Sequence, residues 1–250
     1  MKRLLGGLVT VLIAWTALAD DAQIAVAANF AAPARKLAAA FMQRTGHRIA
    51  LSSGSTGKFY AQIKSGAPFD AFLSADDETP RRMEAEKLAV IGSRFTYAVG
   101  RLALWSPKAG VVDAEGAVLR NAAFSRLAIA NPRLAPYGAA ARSTMETLGV
   151  WQTLQAKLVQ GENIAQTYQF VSSGNAELGF VAFSQLREGG ERTSGSYWVV
   201  PERFHAPLRQ DAVLLTRGAN NAAALAFLED LRSPSAREFI RSYGYELAPP

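Results

Sequence analysis

The 250-residue sequence contains no cysteine and only two histidines, His47 and His205. The lack of cysteine excludes disulfides, thiolate metal sites and cysteine nucleophiles. The scarcity of histidine leaves little basis for a histidine metal cluster or a Ser-His-Asp triad. The acidic run 76–78 stands at a predicted helix start, where carboxylates act as caps and favourable partners of the helix dipole. Most hydrolases and metalloenzymes are therefore poor candidates.

Long runs of basic residues are also missing, although the formal net charge is +6. The lysines and arginines are scattered, and no cluster is long enough to follow a phosphate backbone, so nucleic acid is not an expected partner. A mild positive balance favours the attraction of small anions. Hydrophobic residues make up 49% of the chain, which predicts a globular protein and not a disordered one.

Beyond residue 20, no apolar run approaches the roughly 18 residues of a membrane-spanning helix. At the N-terminus, Lys2 and Arg3 precede an apolar stretch that ends in the small-x-small pattern 17–19. This arrangement is typical of a cleaved secretory signal peptide. We therefore expect residues 1–19 to be removed, which lowers the net charge to +4 and leaves a mature chain that begins at Asp20. No cysteine follows the cleavage point to carry a lipid anchor, so a free protein in a bacterial periplasm is expected.

Short apolar segments alternate with helical patterns along the mature chain, beginning with the predicted strand 23–28. This alternation predicts mainly parallel sheets covered by helices on both faces. The pattern begins again after Trp105, which predicts an α/β fold with two lobes and a ligand cleft between them. The first lobe is expected to comprise 20–98 and 208–250, and the second 99–207. The chain is expected to cross between the lobes near 97–100 and 207–211, where hinge bending would close the cleft.

Four predicted helix starts carry small or hydroxyl residues directly after predicted strands. A helix start presents unpaired N–H groups and a partial positive charge, which suit an anion, and such ends gather at the carboxyl edge of an open α/β sheet. Glycine lets the backbone approach a ligand, and serine or threonine adds a hydroxyl donor. Taken singly, each start is explained as a helix cap. The presence of such helix starts in both lobes, on either side of a cleft, predicts a ligand site. It would be formed by segments 27–29, 53–57, 135–138 and 161–164.

Two enzyme motifs fail at the second of these segments. Gly57-Lys58 is similar to the end of a P-loop, but Ser52 stands where the first glycine is required. Phe59 occupies the position at which a serine or threonine would bind magnesium. The nucleophile pattern G-x-S-x-G is also absent around Ser55, because a serine stands two residues before it. Nucleotide hydrolysis and serine hydrolysis are therefore not expected.

At these junctions the sequence resembles the periplasmic molybdate-binding proteins of ABC importers, which have the type II solute-binding fold. The resemblance spans essentially the whole mature chain and keeps the order and spacing of the family's motifs. The segments that carry it are AANF at 27–30, SSGSTGK at 52–58, YAQI at 60–63, 67–76, NP at 131–132, APYG at 135–138 and LGFVA at 178–182.

The resemblance implies an oxyanion site without catalytic residues or cofactors. Molybdenum would be held only as its oxyanion, so no residue is expected to ligate the metal directly. Some family members place a tyrosine hydroxyl at the position of Ala182, and its absence leaves the number of hydrogen bonds open. The implied ligand-binding residues are Asn29 in the first loop with the backbone of Ala28, Thr56 in the second with Ser55 beside it, the N–H of Tyr137 in the third and the N–H of Ile164 in the fourth.

The function implied by the resemblance is the capture of molybdate, together with the similarly sized tungstate, by a monomer that delivers it to an ABC permease in the inner membrane. A binding protein of the same fold for sulfate, phosphate or a small carboxylate is the nearest alternative, although no arginine fork for a carboxylate is evident in the four loops. An extracytoplasmic enzyme acting on a phosphorylated metabolite would need a general base, and the loops offer only Glu162. A sensory or adhesive module is a further alternative.

Overall fold

The structure is a computed structural model that describes residues 20–187 and 193–247. The predicted signal peptide, residues 1–19, lies outside the described residues. Among the residues that are described, no helix has the length and apolar character needed to cross a membrane.

Ten strands and nine α-helices make up the described part of the chain. The strands are β1 (Asp21–Ala27), β2 (Arg48–Gly54), β3 (Ala71–Leu73), β4 (Phe95–Gly100), β5 (Leu102–Ser106), β6 (Leu127–Ala130), β7 (Leu158–Gly161), β8 (Leu178–Ala182), β9 (Ser196–Val199) and β10 (Leu208–Leu214). The helices are α1 (Ala31–Thr45), α2 (Thr56–Lys64), α3 (Glu78–Ala85), α4 (Val118–Asn121), α5 (Pro136–Thr147), α6 (Trp151–Leu154), α7 (Ile164–Ser172), α8 (Ala222–Asp230) and α9 (Pro234–Ser242). A short 3-10 helix, Ala28–Phe30, joins β1 to α1.

The strands form two five-stranded sheets with equivalent topologies. The first sheet has the order β2-β1-β3-β10-β4, and the second has the order β7-β6-β8-β5-β9. In the first sheet β10 runs against the other strands, and in the second β5 does so. Helices pack against both sheets. The predicted two-lobe α/β architecture with mainly parallel sheets is confirmed, and we call these units the first and second lobes.

Helix α1 illustrates how local sequence positions the elements. Pro33 lies in the first turn, where a missing N–H removes no helical hydrogen bond. Leu37 and Phe41 recur at helical spacing and are buried against the first sheet. The helix ends at Gly46, whose φ of +77° lies in the left-handed region that glycine adopts without steric cost.

Each lobe has its own hydrophobic core. Ile24, Phe30 and Phe227 are fully buried in the first lobe, and Phe180 is fully buried in the second. The core of the second lobe continues across the cleft to Ala28 of the first lobe. The two lobes are therefore packed against each other in a closed arrangement.

The chain passes between the sheets twice. β4 ends at Gly100 in the first sheet, and β5 begins at Leu102 in the second. The chain returns between Val199, the last residue of β9, and Leu208, the first residue of β10. Both crossings lie on the same side of the cleft, because β4 and β10 are hydrogen-bonded neighbours.

Candidate functional site

A small cavity lies between the lobes, at the edge where the parallel strands end. All six residues that the sequence singled out line it. The full lining is Ala27, Ala28, Asn29, Gly54, Ser55, Thr56 and Ala75 from the first lobe, and Ala135, Pro136, Tyr137, Asn163 and Ile164 from the second.

Four helix starts converge on this cavity. The 3-10 helix follows β1 directly, and α2 begins two residues after β2. In the second lobe, α5 follows β6 after a five-residue turn, and α7 begins shortly after β7. The first N–H groups of a helix have no acceptor within it and carry the positive end of the helix dipole. The cavity therefore lies among N–H groups supplied by both lobes.

Side chains do not cap most of the helix starts at the cavity. No side chain caps the starts of the 3-10 helix, α2 or α5. Elsewhere, the starts of α8 and α9 are capped by the side chains of Asn221 and Ser233, whereas those of α4 and α6 are not. At α7, Asn163 Oδ1 accepts hydrogen bonds from the N–H groups of Ala165 and Gln166, and the N–H of Ile164 remains outside this cap. The cap that Asn163 provides therefore leaves the N–H of Ile164 available at the cavity.

The side chain of Ser55 adds a donor without a protein partner. Ser55 is 3% exposed, and its Oγ has no hydrogen-bond partner among the described residues. A buried hydroxyl without a partner costs about 1–3 kcal/mol, and most such groups in proteins are satisfied. A hydroxyl left unpaired at the wall of a cavity indicates a ligand that would accept its hydrogen bond.

The hydroxyl of Thr56 is held in position by the backbone. Its Oγ1 accepts a hydrogen bond of 3.1 Å from the N–H of Ala75, which leaves its proton available for donation. The nearby Ser74 hydroxyl lies 3.5 Å away and is bonded to Asp76, so it competes only weakly for that proton. Thr56 therefore presents both a hydroxyl and the first N–H of α2 to the cavity.

The side-chain amide of Asn29 donates its hydrogen bonds to other side chains of the protein. Its Nδ2 donates to Gln210 Oε1 at 2.7 Å and to Tyr245 Oη at 3.1 Å. Because both amide protons are used in this way, the backbone N–H is the donor of Asn29 that is left for a ligand. The sequence did not identify Gln210 or Tyr245, which lie 181 and 216 residues away from Asn29 and within ordinary strand and terminal patterns.

The cavity lining contains no charged side chain. Burial raises the pKa of the Tyr137 hydroxyl well above its usual value, so this side chain stays neutral. Lys58 lies outside the lining and pairs with Glu162 of the second lobe at 2.7 Å. Within the described part of the chain, no cluster of three histidine or carboxylate side chains is placed to hold a metal cation.

The remaining candidates have structural partners. Asp76 Oδ1 accepts a hydrogen bond from the N–H of Thr79 and so caps the start of α3, and burial raises the pKa of its carboxyl. His47 Nδ1 accepts a hydrogen bond from the N–H of Asp20. Ala182 is fully buried and is not part of the cavity lining, and its N–H donates to Gln185 Oε1.

The chain is similar in sequence to known binding proteins. Residues 22–246 match the family described as bacterial extracellular solute-binding protein. The chain is 53% identical to the molybdate-binding protein ModA of Azotobacter vinelandii over 99% of this chain and 98% of that protein. It is 50% identical to ModA of Rhodobacter capsulatus over 93% of this chain and 91% of that protein.

The fold agrees as well. The solved structure of the periplasmic molybdate-binding protein of Azotobacter vinelandii superimposes with a TM-score of 0.88 and 38% identity. The match covers 91% of this chain and 100% of that one. The chain thus belongs to the bacterial extracellular solute-binding protein family, in the branch that contains the molybdate-binding proteins of Azotobacter vinelandii and Rhodobacter capsulatus.

Proposed function

We propose that this chain is a molybdate-binding protein that captures the oxyanion between its lobes and delivers it to an ABC importer. The observation that carries the proposal is the convergence of four helix starts, without side-chain caps on their cavity-facing N–H groups, on a cavity that has no charged side chain. The close relatives named above, which are molybdate-binding proteins, support the choice of ligand. Binding without chemical conversion is the activity of this family, and the chain is not an enzyme.

The donor set accounts for tight binding without a lysine or arginine. A fully ionised tetrahedral oxyanion accepts hydrogen bonds on all its oxygens, which suits N–H and O–H donors. Seven bonds to a charged acceptor at about 1.5–3 kcal/mol each give roughly 10–20 kcal/mol. Loss of translational and rotational freedom takes back at least about 4 kcal/mol, and micromolar to nanomolar affinity needs about 8–12 kcal/mol. The donors are the N–H groups of Ala28, Asn29, Thr56, Tyr137 and Ile164 and the hydroxyls of Ser55 and Thr56.

Size is the proposed basis of selectivity among tetrahedral dianions. Donors fixed to helix starts and buried loops cannot follow a smaller anion inward, so their hydrogen bonds would lengthen and weaken around sulfate. Tungstate has nearly the same size and charge as molybdate. We therefore propose that tungstate is a second ligand and that sulfate is excluded.

Closure of the lobes would complete the site. The N–H of Gly57 donates to the carbonyl oxygen of Leu134 across the cleft at 2.8 Å, and Lys58 pairs with Glu162 beside it. The expected division at 98–99 falls inside β4, which stays in the first sheet as far as Gly100. We propose that the lobes divide between Gly100 and Leu102 and at 207–208, and that hinge bending at 97–100 and 207–211 opens the cleft, as in other binding proteins that close around a ligand. The cross-cleft contacts would then break and re-form with each binding event.

The location and partner follow from the family. Binding proteins of ABC importers work outside the cytoplasmic membrane, and one of the relatives is a periplasmic protein. We propose that residues 1–19 are cleaved on export and that the mature monomer meets its permease in the periplasm. Sequencing the N-terminus of the exported protein would test the cleavage, and a start other than Asp20 would move the boundary.

Isothermal calorimetry on the mature chain tests the proposed ligand. Molybdate is expected to bind with micromolar or tighter affinity and one anion per chain, with tungstate close to it. Sulfate and phosphate at the same concentrations are the controls and are expected to produce no binding heat. Equal binding of sulfate would assign the cavity to a different anion. The absence of binding heat with every oxyanion would contradict the proposed function.

A further inference from the structure

Behind the cavity, Gln210 connects the two lobes through its side-chain amide. Its Oε1 accepts the 2.7 Å hydrogen bond from Asn29 Nδ2, and its Nε2 donates to Tyr137 Oη at 3.0 Å. Asn29 belongs to the first loop of the first lobe, and Tyr137 lies in the first turn of α5 in the second lobe. One amide thus joins two of the segments whose N–H groups face the cavity.

Gln210 is placed where the chain crosses between the lobes. It lies in β10, and the register between β10 and β4 shifts between Gln210 and Asp211. Gly100, at the end of β4, is packed so closely that a Cβ there would overlap both Tyr137 Oη and Gln210 Nε2. The amide therefore occupies a tightly filled space beside a crossing strand, and Gln210 is fully buried.

Further hydrogen bonds fix the orientation of this amide. The single hydroxyl proton of Tyr97 is shared between two acceptors, the carbonyl oxygen of Ser74 at 2.8 Å and Gln210 Oε1 at 3.1 Å. The hydroxyl of Tyr245 donates to the carbonyl oxygen of Asn29 at 2.8 Å. With Asn29 Nδ2 as the donor to Oε1, Nε2 is the group of the Gln210 amide that is left to reach Tyr137.

We propose that Gln210 is a positioning residue for oxyanion binding: its amide holds the backbone of Asn29 and the start of α5 in register when the lobes close. The proposal rests on the proposed function, since it assigns Gln210 to the same site. Gln210 does not line the cavity and acts through Asn29 and Tyr137. The bond to Tyr137 joins the lobes, so its loss should favour opening and speed the release of the anion.

Three variants test the proposal by a double-mutant cycle: Gln210→Met, Tyr137→Phe and the two combined. Gln210→Met keeps a side chain of similar length but removes both amide functions, and Tyr137→Phe leaves the backbone N–H in place. We expect Gln210→Met to weaken molybdate binding by about 10-fold or more, mainly through faster dissociation, since partners of a lost buried hydrogen bond are left unpaired. Tyr137→Phe should add no further loss in the Gln210→Met background, because the same bond is already gone.

Ser106→Ala is the matched control. Ser106 is fully buried and donates a 2.7 Å hydrogen bond to the carbonyl oxygen of Glu177, at the opposite edge of the second sheet from the cavity. This change should lower thermal stability but leave the affinity and the dissociation rate for molybdate unchanged. It separates loss of a buried hydrogen bond in general from loss of this particular connection.

Calorimetry, stopped-flow release and thermal unfolding distinguish the outcomes. If Gln210→Met binds molybdate within about 2-fold of the unmodified protein, or if its loss and that of Tyr137→Phe are additive, the positioning role is overturned and the proposed function stands. If the unmodified protein itself does not bind molybdate, both proposals are overturned. Should Gln210→Met fail to fold, Tyr137→Phe alone provides the test: it removes the acceptor of Gln210 Nε2, keeps the backbone N–H of Tyr137, and is expected to weaken binding through faster dissociation.

Discussion

Replacement of Ser55 by alanine separates ligand binding from protein stability. The Ser55 hydroxyl is buried at the cavity wall and has no partner in the described structure, so its removal breaks no hydrogen bond within the protein. In the open protein the hydroxyl would be in contact with water. The thermal stability of the ligand-free protein should therefore change by no more than about 0.5 kcal/mol, as for an ordinary surface substitution.

The effect on binding should be much larger. A hydrogen bond from a hydroxyl to a charged acceptor contributes about 1.5–3 kcal/mol, and each 1.4 kcal/mol is a tenfold change in affinity. Ser55→Ala should accordingly weaken molybdate binding by about 10- to 150-fold. The stabilisation of the protein by molybdate in thermal unfolding should shrink by the same free energy.

Ser53→Ala is the matched control for this prediction. Ser53 lies two residues earlier, at the end of β2, and its side chain is exposed and outside the cavity lining. Calorimetry should give an unchanged affinity for Ser53→Ala. If both variants bind alike, or if Ser55→Ala destabilises the ligand-free protein without weakening binding, the reasoning from the unpaired hydroxyl is refuted.

Three further predictions concern the same cavity and its closure. Thr56→Ala should weaken molybdate binding by about 1–3 kcal/mol in calorimetry, whereas Asp77→Ala, outside the cavity lining, should leave it nearly unchanged. Equal losses of affinity in the two variants would show that the anion does not bind in this cavity. A Cβ at Gly57 would lie 3.1 Å from the Cα of Leu134, so Gly57→Ala should hinder closure and speed molybdate release in stopped-flow experiments, and an unchanged rate would contradict this role. Because burial raises the pKa of Tyr137 and no lining residue is charged, the affinity for molybdate should stay level from about pH 6.5 to about pH 9. Ionisation of Tyr137 would place a negative charge beside the anion. A fall in affinity within that pH range would therefore contradict a neutral lining.

The positions of the four loops could be predicted from sequence because each is marked by a local transition. An apolar strand pattern gives way to small or hydroxyl residues and then to helical spacing, as at Ser55 and Thr56. The carboxyl ends of parallel strands meet at one edge of a sheet, so loops far apart in the chain come together without any sequence signal of their contact. The same reasoning places Tyr137 and Ile164 opposite them in the second lobe.

The connections behind the loops could not be predicted in this way. Gln210 stands in an ordinary strand pattern, and its partner Asn29 is 181 residues away. Their meeting depends on β10 returning between β3 and β4, a pairing that periodicity does not specify. For the same reason the sequence did not indicate that the amide of Asn29 would turn inward. Asn163 also needed the structure, because only its hydrogen bonds show that it caps α7 while leaving the N–H of Ile164 free of the cap.

The most direct measurement is a crystal structure of the mature chain grown with molybdate, with the metal located by its anomalous scattering. We predict one anion in the cavity between the lobes, held by the Ser55 and Thr56 hydroxyls and by N–H groups from both lobes. No lysine, arginine or metal cation should lie within hydrogen-bonding or coordination distance of its oxygens. An anion bound outside this cavity, or one held chiefly by a basic side chain such as Lys58, would show that the neutral donors of the cavity are not the binding site.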